Sequence, residues 1–231
     1  MAGSRGQRDP LLSKFKQAQL PQEWESQGVF PSLKAGSLGT CAVVAVGDNL
    51  LQPPGRGAEI DAHDTVWRYN SPIKKWGAQV GRRSDILYWK VRKDEKDYGV
   101  EGQRASRFVM FKDEGKFFLF GSPREWEANT FRGMPVIWAT PLGGTFIGQV
   151  YKQYREERNL YIGSASGGCK FAMDVLASRL CTRVDLYGYT AGGSSKYFNP
   201  AGKSMNLVHL IGLEHWMYRV AMEEGMMCVY D

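Results

Sequence analysis

The 231-residue chain carries 30 Lys and Arg against 24 Asp and Glu, a formal net charge of +6, with 43% hydrophobic and 13% aromatic residues. That length and apolar content suit one domain with a substantial core and would crowd a second. The basic balance suits an anionic ligand, yet no RNA-recognition signature, zinc spacing or long basic helix accompanies it, so nucleic acid is not an expected partner.

Residues 1–39 are polar, with Gly, Pro and Ser scattered through them. They hold no apolar run long enough for a signal anchor or a membrane span. They read as a leader with a short helix over 17–25, followed by one domain over 40–231. Strands are expected at 42–46, 65–69, 85–89, 107–111, 117–120 and 135–139. The mixed-sign run 90–97 reads as a solvated loop. A helix over 144–158 would place Ile147, Val150, Tyr151 and Tyr154 on one face. A short strand at 160–162, a helix over 168–180 and a buried strand at 184–189 follow. A long helix over 206–224 and a last strand at 226–230 complete the chain. This alternation predicts an α/β fold, a three-layer α/β/α sandwich around a Rossmann-like, mostly parallel sheet.

Four constellations carry polar chemistry. Asn49 and Asn70 follow two of the strands, and strand ends at the carboxyl edge of an open sheet are where such folds bind ligands. An Asn amide can donate to a phosphate oxygen and accept from a ribose hydroxyl. Gly163-Ser-Ala-Ser-Gly-Gly168 lies between a short strand and a helix, where small residues and the helix N-terminus favour an anion. Ser166, Gly167 and Gly168 are the candidate residues there. Lys196, followed by Tyr197 and Phe198, can bring positive charge to a leaving phosphate. His209 precedes Glu214 by five residues. The other histidines read as structural: His63 in turn hydrogen bonds, and His215 mid-helix near Trp216. The four cysteines, Cys41, Cys169, Cys181 and Cys228, have no Cys-x-x-Cys spacing, so a metal site is not expected. The residues alone leave open whether they are reduced core thiols. A dinucleotide-binding Rossmann unit is disfavoured, because Gly-x-Gly-x-x-Gly spacing is missing after the first strand and no acidic residue ends the second.

The order Cys41-Ala-Val-Val, Asn49-Leu, Glu59-Ile-Asp-x-His63-Asp-x-Val-x-Arg68-x-Asn70 and Val80-Gly81-x-Arg83 resembles the large sialyl motif of the eukaryotic sialyltransferase family. Ser166-Gly167-Gly168 through Cys181-Thr-Arg-Val-Asp-Leu-Tyr-Gly-Tyr resembles the small motif, with about three extra residues before Cys181. Lys196-Tyr197-Phe198 takes the place of the family's His-Tyr-aromatic motif, and His209-x-x-x-x-Glu214 that of the very small motif. The resemblance spans roughly 41–224 and admits a divergent plant or algal type.

It implies an inverting glycosyltransferase that moves sialic acid, or a related acidic sugar, from a CMP-sugar donor to a glycan hydroxyl. The acceptor would sit on a glycoprotein, glycolipid or polysaccharide. By the resemblance, His209 is the base and Asn49, Asn70, Ser166, Gly167, Gly168 and Lys196 hold CMP. Glu214 and Tyr197 support them. It also implies a structural Cys41–Cys181 disulfide, neither metal nor other cofactor, and a Golgi-lumenal setting reached through a membrane anchor that this chain lacks. Two departures stand out: Val46 where the family has a donor-contacting Asn, and Lys196 where it has His. They keep two alternatives open, a weak or inactive binding module and a transferase for another CMP-activated sugar such as Kdo.

Overall fold

The computed structural model describes residues 35–69, 71–89, 103, 106–112, 130–131, 134–139, 142–161, 163–189, 196–197 and 209–230. Among them one sheet holds β1 (Thr40–Val44), β2 (Thr65–Tyr69), β3 (Ile86–Trp89), β4 (Phe108–Lys112), β5 (Thr130–Phe131), β6 (Met134–Ala139), β7 (Arg183–Tyr187) and β8 (Met227–Tyr230). The spatial order is β5-β6-β4-β3-β2-β1-β7-β8. Every neighbouring pair is parallel except β5 with β6. The central strand β1 is covered on both faces, which is why Cys41-Ala-Val-Val reads as an unbroken apolar run.

Alternation along the strands sorts the core into two layers. Cys41, Val43, Ala45 and Trp67 face α3 (Leu142–Glu157), α4 (Gly167–Ser178) and α5 (Ile211–Glu223), packing with Ile147, Phe171, Val175, Leu213 and Met217. Ala42, Val44 and Val66 face the other way and pack with Leu50, Ile60, Val80 and Tyr197. That second layer is thin, built on α1 (Gly57–Asp61), α2 (Gly77–Val80) and a 3-10 turn at Asp48–Leu51. The expected sandwich therefore forms, with its long described helices on one face.

Polar side chains rather than helix length hold the thin layer. The Asp61 carboxylate accepts from the Arg82 and Arg83 amides at 2.7–2.9 Å. Arg83 in return donates to the carbonyls of Asp61, His63 and Asp64 and to Asp85. Arg68 is fully buried and donates to Arg83 O, Val80 O and Ser71 Oγ. Burial lowers its pKa to about 10, still far above neutrality, so it stays charged. Cys41 and Cys181 form a disulfide that ties the start of β1 to the residues before β7.

Several expected elements shift. Of the strand expected at 160–162, Leu160 and Tyr161 are exposed and not in a strand while 162 lies outside the described residues, and Ser164 makes an isolated bridge to His209. The last helix begins at Ile211 rather than 206, and the structure does not describe 201–208. Leu210 takes a non-helical conformation (φ −87°, ψ 69°), and its amide donates to Ser164 O at 3.3 Å. His209 thus lies on an extended segment before the helix. The strand expected at 117–120 and the helix at 17–25 fall outside the described residues, and β5, α1 and α2 are too short to show a period in sequence.

Candidate active site

Successive strands from β1 run outward through β2, β3 and β4, whereas β7 returns to the other side of β1. The sheet therefore has a switch point between β1 and β7, where open α/β sheets form a ligand crevice beyond the carboxyl ends. Two segments cross there. Gly47 donates to Gly188 O at 3.0 Å, and a side chain on Gly47 would place Cβ 2.6 Å from that carbonyl, so the crossing requires glycine. Gly47 also makes an antiparallel bridge with Lys196, and Tyr197 N–H donates to Val46 O. Lys196, the candidate phosphate partner, is thus bound by backbone to the segment leaving β1.

Tyr197 anchors that segment. Its hydroxyl donates to Pro72 O and meets Ser71 Oγ at 3.0 Å, while its ring packs edge-on against Trp76. Burial pushes the phenol up to about 12, so it remains a neutral donor. Asn49 lies in the 3-10 turn after β1; its Nδ2 donates to Tyr230 O at 3.5 Å, and Oδ1 is buried with no hydrogen-bond partner among the described residues. Asn70, the second candidate amide, lies outside the described residues.

The second group gathers at the N-terminus of α4. Ser166 caps the helix by accepting from Cys169 N–H at 3.1 Å. Glu214, buried in the first turn of α5, accepts from Ser166 N–H (2.6 Å), Ser166 Oγ (2.7 Å) and the Tyr151 hydroxyl (3.2 Å). The Ser166 amide is therefore already engaged, and the amides of Gly167 and Gly168 are those whose acceptors the helix cannot supply. This narrows the expected three-residue anion cradle to two amides. Gly167 also passes so close to Tyr69 Oη that a Cβ there would overlap it, and Tyr189 Oη donates to Gly168 O at 3.4 Å. Tyr69 ends β2 and Tyr189 follows β7, so both tie the α4 N-terminus to the carboxyl edge of the sheet.

His209 sits beside this helix end. Its Nδ1 lies 3.3 Å from Ser164 Oγ, and the two residues form a parallel backbone bridge. Ser164 is the site residue that sequence reasoning missed. Its only advance signal was membership of the Gly163–Gly168 turn, because its partner lies 45 residues away.

His63 joins another network, one side in the local turn as expected and the other reaching Asp185 on β7. Its Nδ1 meets Glu59 O at 3.0 Å and its Nε2 meets Asp185 Oδ2 at 2.8 Å. Among the described residues no group of His, Cys, Asp and Glu could hold a metal ion, and no helix is long and apolar enough to cross a membrane.

A mostly parallel open sheet with a switch point, a helix N-terminus and a histidine at one edge is the arrangement in which open α/β folds place a ligand site. Comparison with known proteins narrows it. The profile of glycosyltransferase family 29 (sialyltransferase) matches residues 8–114. Two structures of a mammalian sialyltransferase superpose on the chain. One, in complex with Gal-beta-1-3GalNAc-ortho-nitrophenol, has TM-score 0.53 and 16% identity, over 96% of this chain and 85% of that one. The other has TM-score 0.54 and 18% identity, over 96% and 78%. A variant of the sialyltransferase CST-II in complex with CMP superposes with TM-score 0.51 and 13% identity, over 83% and 80%. No curated protein sequence matches. The resemblance to the sialyltransferase family thus holds in sequence over the residues the profile matches, and the fold is that of solved sialyltransferases.

Proposed function

We propose that the protein is a metal-independent, inverting glycosyltransferase that uses a CMP-sugar donor and a glycan hydroxyl acceptor. The observation that carries this reading is the placement of His209 beside the N-terminus of α4, at the carboxyl edge that also holds the β1/β7 switch point. His209 takes the proton from the acceptor hydroxyl as that oxygen attacks the anomeric carbon. CMP leaves with the electron pair of the broken bond. Its phosphate needs electrostatic support rather than an acid, and Lys196 with the amides of Gly167 and Gly168 supplies it. Asn49, whose buried Oδ1 has no partner among the described residues, and Asn70 complete the donor set. The donor is CMP-sialic acid or another CMP-activated acidic sugar such as CMP-Kdo. The acceptor is a glycan on protein, lipid or polysaccharide, and the family implies a Golgi-lumenal setting.

A second reading, a binding module with weak or no turnover, is favoured by Val46 and Lys196 in place of the family's Asn and His. The prior claim of Glu214 on the Ser166 amide points the same way. Release of CMP from CMP-sialic acid, measured on the wild type and His209→Ala across a panel of galactosides, separates the two. The transferase reading expects wild-type turnover that falls by about 10²- to 10⁴-fold in the variant. CMP binding by the wild type without any release would favour the module.

A further inference from the structure

A histidine that acts as a base at one ring nitrogen must carry its proton on the other, and the partner of that other nitrogen decides which is which. In many sites a carboxylate fills this role. Here the nearest acidic residue on the His209 segment, Glu214, is committed to three donors: the Ser166 amide, the Ser166 hydroxyl and the Tyr151 hydroxyl. Among the described residues, the partner of His209 Nδ1 is instead the hydroxyl of Ser164, at 3.3 Å.

We propose that Ser164 is a positioning residue that accepts a hydrogen bond from His209 Nδ1–H and so leaves the Nε2 lone pair to act as the base. This rests on the transferase reading above.

The geometry supports acceptance in three ways. The backbone fixes the pair as well as the side chains do, since Leu210 N–H donates to Ser164 O and the two residues bridge in parallel. Ser164 therefore stands at a set position relative to the ring rather than on a free loop. Its carbonyl is further braced by the pairing, and the preceding Gly163 carbonyl accepts from Arg155 Nη1 at 3.2 Å. A hydroxyl offers lone pairs as well as a proton, so it can accept from Nδ1–H and turn its own hydrogen elsewhere. Acceptance also survives the reaction. When the acceptor O–H bond breaks and its proton passes to Nε2, the oxygen's electron pair forms the new bond to the anomeric carbon and CMP departs with the old one. The ring is then an imidazolium that donates from both nitrogens, and Ser164 still accepts from Nδ1 without moving. A Ser164 that donated to Nδ1 would force the proton onto Nε2 and leave no base facing the acceptor.

The test is the tautomer of His209 in the full chain, read by nitrogen-15 NMR of ring-labelled histidine at a pH where the imidazole is neutral. With only three histidines in the chain, His209→Gln assigns the signal. The proposal expects an Nδ1–H tautomer in the wild type and in Ser164→Thr, and a shift toward the Nε2–H form preferred by a free histidine side chain in Ser164→Ala. In parallel, Ser164→Ala should release CMP from CMP-sialic acid about tenfold more slowly, the equivalent of one lost hydrogen bond, with Ser164→Thr close to wild type. An Nε2–H tautomer in the wild type, or an Nδ1–H tautomer unchanged by Ser164→Ala, overturns the proposal. Neither result depends on turnover, so an inactive protein with the expected tautomer would overturn the transferase reading alone.

Discussion

At the scale of single residues, Glu214 decides how the α4 N-terminus is held. Its carboxylate is the acceptor for two donors on Ser166 and one on Tyr151, and it is 3% exposed. The tyrosine is held well above its usual range, chiefly by burial and then by nearby Cys169 and Glu214, so it serves as a neutral donor. Removing the carboxylate in Glu214→Ala orphans all three donors, and we expect a loss of about 3 kcal/mol from the unmet groups. Glu214→Gln keeps the volume and one acceptor oxygen, so about half that loss is expected. Urea unfolding midpoints of the two variants check both values. The same residue illustrates what a sequence cannot display. His209-x-x-x-x-Glu214 is visible as a pattern, but the 48-residue separation from Ser166 hides that the two are partners. Ser164 was hidden for the same reason.

At the scale of elements, polar residues between 61 and 85 form a knot that holds the layer which, among the described residues, has no long helix. Asp61, Arg68 and Arg83 bind the backbone of 61–64 and 80–83 from both sides. His63 then pins this knot to β7 through Asp185. The hydrogen bond that His63 donates to Asp185 raises the His63 pKa above 6.5, against the opposing effect of burial. Burial pushes Asp185 up, but hydrogen bonds and charge from His63 and Arg183 outweigh it, and the carboxyl ends below 3.8. Because the folded His63 pKa is raised, its contribution is complete below pH 6.5 and is lost as pH rises through the folded value. Asp185, being depressed, contributes fully above pH 3.8 and loses its share only as pH falls through its folded pKa. Stability of the wild type relative to His63→Gln should therefore be greatest between these limits and decline on the alkaline side of 6.5. Unfolding in urea at a series of pH values tests this; a difference that grew as pH rose above 6.5 would contradict it. The knot also explains what was and was not legible. The apolar runs of β1, β2 and β7 showed in the sequence because burial on both faces leaves continuous hydrophobic stretches. The start of the last helix did not, because tertiary pairing set it. At Leu210 the pairing with Ser164 overrode the helical period that had extended to residue 206.

At the scale of the whole molecule, the chain order places the candidate groups together. Each return from a helix on one face brings the chain back through the sheet, and among the described residues 45–51, 163–168, 188–189, 196–197 and 209–210 are tied to one another around its carboxyl edge. The Cys41–Cys181 bridge closes a loop of 140 residues between two of those returns. By loop entropy alone such a closure is worth about 5 kcal/mol. The bridge came from family resemblance rather than from cysteine spacing, since four cysteines permit several pairings. Cys169, by contrast, is a buried core thiol, held protonated mainly by desolvation. The central claim is that this edge binds CMP. A calorimetric titration of CMP, without added metal, into the wild type and Asn70→Ala tests it most directly. The account predicts saturable one-to-one binding by the wild type that Asn70→Ala abolishes; absence of CMP binding by the folded wild type would contradict it.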